Sequence, residues 1–309
     1  MRQITAEQTR NLALTSADFA AALEVAFRAS AKSDISWKPK SMIGYGNGAF
    51  LMSTFAAWPA AGYGIFHMLA GADASSIKAG SPAYSSTQLL TDASTGEPLA
   101  MLDGAYTSTI LPAGITRLMT PRLARPKSGV AVIVGAGTQA RVNLEALDGV
   151  FPIDEVRIIS RSQGSAERFA EFVSGRGQRP RILSASEAAF QDADTIITTV
   201  PAGPHLVPVL DPKWVPKGAF VNAVDLGRSW LQGFQHFDRC IVDDLVQAEQ
   251  QYREGRLAQG GPFDSEIAQI LQGDKAPRVN ADERIALIHP GNVVGILAIS
   301  ALFYDRLAK

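Results

Sequence analysis

Apolar residues recur at helical spacing in the first part of the chain. Phe19, Leu23 and Phe27 fall four residues apart within Ser16–Ala31. This spacing places the three side chains on one face of a helix, with Ser16 as the predicted N-cap. The pattern predicts an amphipathic helix that packs on an apolar surface.

The pattern changes after this helix. Residues 37–70 are rich in Gly, Pro, Ser and aromatic side chains, and the runs Ala49–Met52 and Tyr63–Phe66 predict short strands. A hairpin follows, in which Thr87–Leu90 and Pro98–Leu102 flank a turn made of Asp, Ser, Thr and Gly. The first third of the chain therefore predicts one helix and a mainly antiparallel sheet.

The remaining pattern alternates strands with helices. A helical pattern starts at Ile110 and is disturbed at Pro121, and Pro126–Gly129 predicts a domain boundary. The strands beyond it are continuous Val/Ile runs, which are typical of a parallel sheet covered by helices on both faces. The predicted strands are Val130–Val134, Glu155–Ser160, Pro180–Leu183, Thr195–Val200, Ala219–Val224 and Cys240–Asp243. The predicted helices are Ala140–Leu147, Ala166–Ser174 and Val293–Leu307. The sequence thus predicts an α/β protein with a Rossmann-type doubly wound parallel sheet.

Composition excludes several classes of protein. The chain has 309 residues, a formal net charge of −1, one cysteine and four histidines. This length suits about two domains, and the near-neutral charge argues against a nucleic-acid-binding surface. A disulfide scaffold and a Cys- or His-rich metal centre are excluded, so no metal is predicted. Val293–Phe303 is too short to span a membrane, and Met1–Thr15 lacks the apolar core of a secretory signal. The sequence predicts a soluble, cytoplasmic protein.

The strand Val130–Val134 runs directly into the motif Gly-x-Gly-x-x-Ala at positions 135–140. In this motif Gly135 permits the sharp turn, Gly137 lets the backbone approach a pyrophosphate, and Ala140 lets helix and strand pack closely. The helix N-terminus offers N–H groups and a partial positive charge to the phosphates. The candidate pyrophosphate-binding residues are Gly135, Gly137, Thr138 and Gln139. The alternative is a tight turn that binds no nucleotide.

The end of the next strand indicates which dinucleotide binds. An acidic residue there would accept hydrogen bonds from the ribose hydroxyls of NAD. This strand ends instead in Ser160, Arg161 and Ser162. A guanidinium between hydroxyls suits a 2′-phosphate, so NADP(H) is favoured and NAD(H) stays possible. The alternative for Arg161 is a solvated surface arginine.

Ligands of doubly wound sheets bind beyond the carboxyl ends of the strands. Thr199 and Val200 end one predicted strand, and Val224 and Asp225 end another. These four residues are candidate neighbours of the nicotinamide or its ribose. For Asp225 a turn-forming role before Gly227 is the alternative.

Several segments together resemble the ornithine cyclodeaminase and mu-crystallin family. They are, in order along most of the chain, Thr95–Gly104, Val134–Arg141, Ile159–Ser162, Val221–Val224 and Ser265–Ala268. The resemblance implies a homodimer joined through an α+β substrate-binding and dimerisation domain at residues 1–125, completed by a C-terminal helix at 291–309. It places the Rossmann domain at 126–290.

The resemblance also implies an activity. Family members use NAD(P) in hydride transfer at a C=N/CH–NH centre of an amino- or imino-acid-like substrate. Two alternatives are an ornithine cyclodeaminase, which forms proline and ammonia, and a non-catalytic NADPH-binding protein like some mu-crystallins.

The chain departs from the family pattern at several positions. Ile110 stands where the family has an arginine that grips the substrate carboxylate, and an aliphatic side chain cannot make that charge-assisted contact. The family's sheet lysine corresponds to Lys78 or, in another register, to His67, and its upstream arginine to Lys40. An aspartate of the last helix is missing. Strict ornithine cyclodeaminase activity is therefore disfavoured.

The candidate proton donors are Lys78, Asp225 and His67. A lysine in an apolar pocket can have a pKa low enough to exchange protons near neutrality. The alternatives are a solvent-facing loop lysine for Lys78 and a hydrogen-bonded sheet histidine for His67. Gly291, before the last helix, is a further candidate contact for the cofactor.

Overall fold

A computed structural model describes most of the chain. The described residues are 1–73, 84–126, 129–150, 152–201 and 206–308. They form two compact units, of which the first contains Met1–Leu111 and Gly291–Lys309 and the second Pro112–Pro290. This division falls upstream of Pro126–Gly129, and the domain boundary at 125/126 stays a prediction.

A mainly antiparallel sheet forms the basis of the first unit. Within the described residues it has six strands, β1 (Arg2–Ile4), β2 (Ser36–Gly44), β3 (Phe50–Trp58), β4 (Tyr63–Gly71), β5 (Tyr84–Asp92) and β6 (Pro98–Asp103). Their spatial order is β1-β6-β5-β4-β3-β2, and only the β1–β6 pair among them is parallel. The predicted hairpin is confirmed as β5–β6, and Gly96 in its turn has a φ of +76°. The strands predicted as short, at 49–52 and 63–66, are parts of the longer β3 and β4.

Helices from both ends of the chain belong to this unit. They are α1 (Ala6–Asn11), α2 (Ser16–Ala31) and α9 (Val293–Ala308). The predicted apolar face of α2 is buried, and the ring of Phe19 lies 6.0 Å from that of Phe303 in α9. The N-cap of α2 is Thr15, so the prediction of Ser16 is wrong by one residue. Thr15 Oγ1 accepts a hydrogen bond from the Asp18 N–H, and the Asp18 carboxylate accepts one from the Thr15 N–H.

The helix α3 (Ala105–Leu123) is longer than the sequence pattern predicts. It begins before Ile110 and continues past Pro121, which does not interrupt it. A proline inside a helix removes one backbone hydrogen bond. Here Ile115, Leu118 and Met119 are buried on the face that the pattern predicts. Burial of that face offsets the cost of the proline.

The second unit contains a wholly parallel sheet, as predicted. In the part of the chain that the structure describes, its strands are β7 (Val130–Val134), β8 (Glu155–Ile159), β9 (Arg179–Ile182), β10 (Thr195–Thr198), β11 (Phe220–Ala223), β12 (Arg239–Val242), β13 (Ser265–Glu266) and β14 (Ile285–Ile288). Their order is β13-β12-β14-β11-β10-β7-β8-β9. The predicted strands are confirmed to within one or two residues at their ends, whereas β13 and β14 escape prediction.

Apolar side chains cover both faces of this sheet. Successive residues of β7 belong to different core clusters, with Val132 in one and Ile133 in the other. The first cluster contains Trp230 and Phe190, and the second contains Phe169. The helices of this unit are α4 (Thr138–Glu145), α5 (Gln163–Gly175), α6 (Glu187–Phe190), α7 (Leu245–Arg253) and α8 (Ile267–Gln272). Of the helices described, none combines the length and the apolar character that a membrane span requires.

Candidate functional site

The turn between β7 and α4 has the backbone geometry that its glycines predict. Gly135 has a φ of +103°, and a Cβ at this position would clash with the Thr199 hydroxyl. Its N–H donates to the Ile159 carbonyl at 2.8 Å. Only glycine fits both the conformation and the contact with Thr199.

Gly137 is the N-cap of α4 and is open on its side-chain side. A Cβ built there meets no heavy atom of the described residues within 4 Å. No side chain of the described residues caps α4, whereas Thr15 caps α2 and Ser162 caps α5. The first-turn N–H groups of α4, with the positive end of the helix dipole, therefore point to a space that a phosphate can enter. The residues of this turn fit a pyrophosphate.

The three residues after β8 lead into α5, and the third of them, Ser162, is its N-cap. The Ser162 N–H donates to Ser160 Oγ at 3.3 Å, and Ser162 Oγ accepts from the Ser165 N–H at 3.3 Å. Arg161 is exposed between them. Within the described stretches its guanidinium has no hydrogen-bond or ion-pair partner. An exposed guanidinium next to two hydroxyls can form charge-assisted hydrogen bonds to an anionic group.

In the sheet, β10 lies next to β7, and β11 lies next to β10. The carboxyl ends of both strands are therefore at the same edge as the turn between β7 and α4. The Thr199 N–H and hydroxyl both donate to the Val134 carbonyl, at 2.7 and 3.0 Å. Val200 and Val224 are half-buried at the same edge. The structure thus brings Thr199, Val200 and Val224 to the edge of the sheet where ligands of such folds bind.

Asp225 is buried, and both its carboxylate oxygens accept hydrogen bonds. Oδ1 accepts from the Thr198 hydroxyl at 2.7 Å and from the Gly227 N–H at 3.1 Å, and Oδ2 accepts from the Ser229 hydroxyl at 2.5 Å. Burial raises the pKa of this carboxyl, while these donors oppose the rise. The contacts favour the turn-forming interpretation, and its role as a proton donor stays a prediction.

A row of buried polar side chains crosses the sheet of the first unit. Thr54 on β3 is paired with His67 on β4, which is paired with Gln88 on β5. Lys40 on β2 is also buried. His67 Nε2 lies 3.1 Å from Ser86 Oγ, and its Nδ1 has no partner among the described residues. Burial, and secondly the positive charge of Lys40, lowers the pKa of His67 to about 4, so this histidine is neutral at neutral pH.

Further contacts of the polar row involve Gln88 and Lys40. Gln88 Oε1 accepts from the hydroxyls of Ser300 at 2.8 Å and Thr107 at 3.3 Å, while its Nε2 has no partner in the described regions. Gly291 has a φ of +87°, and a Cβ there would lie 3.0 Å from Lys40 Nζ. The structure therefore brings Lys40 close to both His67 and Gly291.

Lys78, the other candidate for the family's sheet lysine, lies outside the described residues. Ile110 is buried in α3, so its position carries no guanidinium. The described residues contain no group of three or more His, Cys, Asp or Glu side chains arranged to hold a metal ion.

A second buried histidine lies in the other unit. His289 follows β14, and its Nε2 lies 2.9 Å from Asn222 Oδ1. Burial lowers the pKa of His289 to about 4, so it too is neutral at neutral pH. The sequence did not single out Asn222 or its buried partners Thr116 and Asn143. The signal in the sequence that could have identified Asn222 is its position as a polar residue within an apolar strand.

Comparisons with known proteins agree with this geometry. The chain is 31% identical over 235 residues to the ketimine reductase mu-crystallin of Rattus norvegicus, covering 72% of this chain and 70% of that protein. It is 28% identical over 245 residues to a delta(1)-pyrroline-2-carboxylate reductase of Bacillus cereus, covering 75% of this chain and 74% of that protein.

Solved structures share the fold over the whole chain. An archaeal alanine dehydrogenase dimer with bound NAD is 24% identical, with a TM-score of 0.86 and coverage of 100% of this chain and 96% of that one. The delta(1)-pyrroline-2-carboxylate reductase of Thermococcus litoralis, in complex with NADH and L-proline, is 21% identical, with a TM-score of 0.84 and coverage of 100% and 98%. The sequence profile of the ornithine cyclodeaminase/mu-crystallin family matches residues 3–307. The chain belongs to the ornithine cyclodeaminase/mu-crystallin family.

Proposed function

We propose that this protein is an NAD(P)-dependent oxidoreductase that transfers hydride at the C=N/CH–NH centre of an amino- or imino-acid-like substrate. The main observation for the proposal is the N-terminus of α4, which no described side chain caps and where Gly137 leaves open space. The chain also belongs to a family whose model matches residues 3–307. Relatives named as pyrroline-2-carboxylate and ketimine reductases support the reaction class. When bound, the nicotinamide supplies or accepts the hydride.

The residues of the second unit bind the cofactor in this proposal. Amides of the turn hold the pyrophosphate, the segment after β8 holds the adenosine end, and the ends of β10 and β11 flank the nicotinamide ribose. The proposed contacts are Gly135, Gly137, Thr138, Gln139, Ser160, Arg161, Ser162, Thr199, Val200 and Val224, and Gly291 stays a further candidate contact. Unpaired Arg161 supports NADP(H) over NAD(H).

The buried polar row of the first unit handles the substrate. His67 is neutral and its Nδ1 has no partner among the described residues, so in this proposal it hydrogen-bonds a substrate nitrogen without adding positive charge beside it. Lys40 provides a single ammonium for an anionic group. An ammonium is a point charge and not the bidentate donor that an arginine in place of Ile110 would be. The substrate therefore differs from simple α-amino acids at its carboxylate end. Lys78 and Asp225 stay candidates for proton transfer.

Two alternatives are kept. An ornithine cyclodeaminase would need carboxylate contacts other than the missing arginine. A non-catalytic NADPH-binding protein is favoured by the same absence at Ile110, because binding of cofactor alone does not need that arginine. The cytoplasmic location stays a prediction.

A second copy of the chain is the proposed partner. On β4 the buried His67 alternates with Phe66 and Met68, which are exposed by 52% and 50% on the opposite face. Phe55 and Leu51 on β3 extend this apolar face, and the rings of Phe55 and Phe66 lie 6.1 Å apart. A contiguous exposed apolar patch is typical of an interaction surface. The archaeal alanine dehydrogenase is described as a dimer, which supports a homodimer here.

Activity tests the proposed reaction. Purified protein should oxidise NADPH when a cyclic imine is added, as measured by the loss of NADPH absorbance. Imines that differ from pyrroline-2-carboxylate at the carboxylate end should react faster than pyrroline-2-carboxylate itself. His67→Gln should lower kcat/KM about tenfold, because a hydrogen bond to the substrate is worth about 0.5–1.5 kcal/mol. The exposed His236→Gln is the matched control and should retain activity. Proline and ammonia from ornithine with catalytic NAD would instead identify a cyclodeaminase. Tight NADPH binding with neither reaction would identify a non-catalytic protein.

The open position at Gly137 makes a prediction about cofactor binding. Gly137→Val should abolish binding of NADPH and NADH, because the branched side chain fills the space proposed for the pyrophosphate. Loss of a glycine N-cap should cost only about 1 kcal/mol of unfolding free energy. Gly175→Ala, at another open glycine of normal φ, is the control. Calorimetric titration that shows unchanged affinity in Gly137→Val would remove the pyrophosphate from this turn.

Arg161 makes a prediction about cofactor choice. Arg161→Ala should weaken NADPH about 10–100-fold and NADH much less, because a charge-assisted contact to a 2′-phosphate is worth about 1.5–3 kcal/mol. Arg253→Ala, at the end of α7, should change neither affinity. Equal losses for both cofactors in Arg161→Ala would contradict the preference for NADP(H).

The exposed apolar face makes a prediction about assembly. The double variant Phe55→Glu/Phe66→Glu should be monomeric under conditions where the unsubstituted protein is dimeric, because buried unpaired charges oppose association. Sedimentation velocity measures the two states. Val25→Glu, an exposed apolar position on α2, should leave the dimer intact. If the double variant remains dimeric, or if the unsubstituted protein is monomeric, the assignment of this face as the dimer interface is wrong.

A further inference from the structure

A chain of hydrogen-bonded side chains crosses the core of the second unit. Asn143 Nδ2 donates to the Gln139 carbonyl at 2.8 Å and to Gln139 Oε1 at 3.1 Å. The Thr116 hydroxyl lies 2.5 Å from Asn143 Oδ1, and Asn222 Nδ2 donates to Thr116 Oγ1 at 2.7 Å. His289 Nε2 lies 2.9 Å from Asn222 Oδ1. This polar chain therefore links Gln139 to His289.

The direction of each hydrogen bond in the polar chain follows from its neighbours. Asn143 donates through Nδ2, so its Oδ1 accepts from the Thr116 hydroxyl. That hydroxyl accepts from Asn222 Nδ2, so Asn222 Oδ1 is left as an acceptor. Neutral His289 must then carry its proton on Nε2. Thr116 Oγ1 also lies 3.0 Å from the Pro112 carbonyl oxygen, so its single proton is shared between Pro112 and Asn143. A change at Thr116, Asn143 or Asn222 still leaves its neighbours in the polar chain without a donor or an acceptor.

The polar chain joins four elements at the carboxyl edge of the sheet. Asn143 lies on α4, Thr116 on α3 and Asn222 on β11, and His289 follows β14. Thr116, Asn143 and Asn222 are completely buried, and His289 nearly so. Polar groups in such surroundings are costly when unpaired and rigid when fully satisfied. The polar chain therefore fixes the first turn of α4, which contains Gln139, against the strands that end beside the turn.

We propose that Thr116, Asn143 and Asn222 are positioning residues for the dinucleotide, which hold the first turn of α4 where its N–H groups meet the pyrophosphate. This inference rests on the proposed function. It adds that cofactor affinity depends on side chains that do not touch the cofactor. A merely structural role for the same residues would affect stability and leave the affinity of the folded protein unchanged.

The same helix supplies a matched control. Thr120 follows Thr116 by one turn and is equally buried, but its hydroxyl has no hydrogen-bond partner in the described part of the chain. Thr→Val substitutions at the two positions therefore remove the same atom from the same helix. Only the substitution at Thr116 breaks the polar chain.

Titration of NADPH and NADH into each folded variant, together with thermal unfolding, tests the inference. Thr116→Val should raise the Kd of both cofactors about tenfold at a temperature where the variant is fully folded, because buried donors and acceptors are left unpaired. Thr120→Val should leave Kd unchanged. Thr116→Ser, which restores a hydroxyl, should return Kd to within about twofold.

Asn143→Ala breaks the polar chain from α4 and gives the same test if Thr116→Val does not fold. When both variants fold, the double variant should lose no more affinity than the weaker-binding single variant, because one chain is broken in each case. A lowered melting temperature with unchanged Kd in both single variants would overturn this inference alone. Failure of the unsubstituted protein to bind either cofactor would overturn the proposed function itself.

Discussion

The contact between Gly135 and Thr199 fixes the turn on which the proposed cofactor site depends. The Thr199 N–H and hydroxyl both donate to the Val134 carbonyl, and the Gly135 N–H donates to Ile159. The turn is thus tied to β10 on one side and to β8 on the other. A side chain at position 135 would force these strands apart. With its approach fixed in this way, α4 can leave its first-turn amides uncapped for a ligand.

The sheet of the first unit separates two chemical environments by strand alternation alone. Successive side chains point to opposite faces, so one face of β4 carries His67 and the other carries Phe66 and Met68. If the register of β4 shifted by one residue, His67 would move to the exposed face, and Phe66 and Met68 would move to the face that carries the polar row. Nine paired positions join β3 to β4, and nine join β4 to β5. This pairing fixes the register and therefore keeps the polar side chains together on one face.

Features set by local sequence were predictable, and features set by distant partners were not. The β7 turn follows from a short motif, so its glycines were located correctly, and the predicted start of α4 at Ala140 is two residues late. In contrast, β14 is a four-residue apolar run that becomes a strand only between β11 and β12. The N-cap Thr15 was missed because Thr15 and Ser16 are both good caps, and the partner Asp18 decides between them. Thr116 and Asn143 were missed because the contacts that join Thr116 to Asn143 and to Asn222 link residues 27 and 106 positions apart in the sequence.

The helix α9 lies at the end of the sequence yet packs in the first unit. Its Ser300 hydroxyl donates to Gln88 on β5, and Leu307 accepts a hydrogen bond from the Arg2 guanidinium at 2.6 Å. A ribosome therefore makes the sheet of this unit long before the helix that covers it. The second unit can mature on the ribosome as an insertion, whereas the first must wait until α9 has been synthesised. A stop codon ahead of α9 would leave an apolar groove and Gln88 exposed to solvent, and would create a substrate for chaperones and proteases.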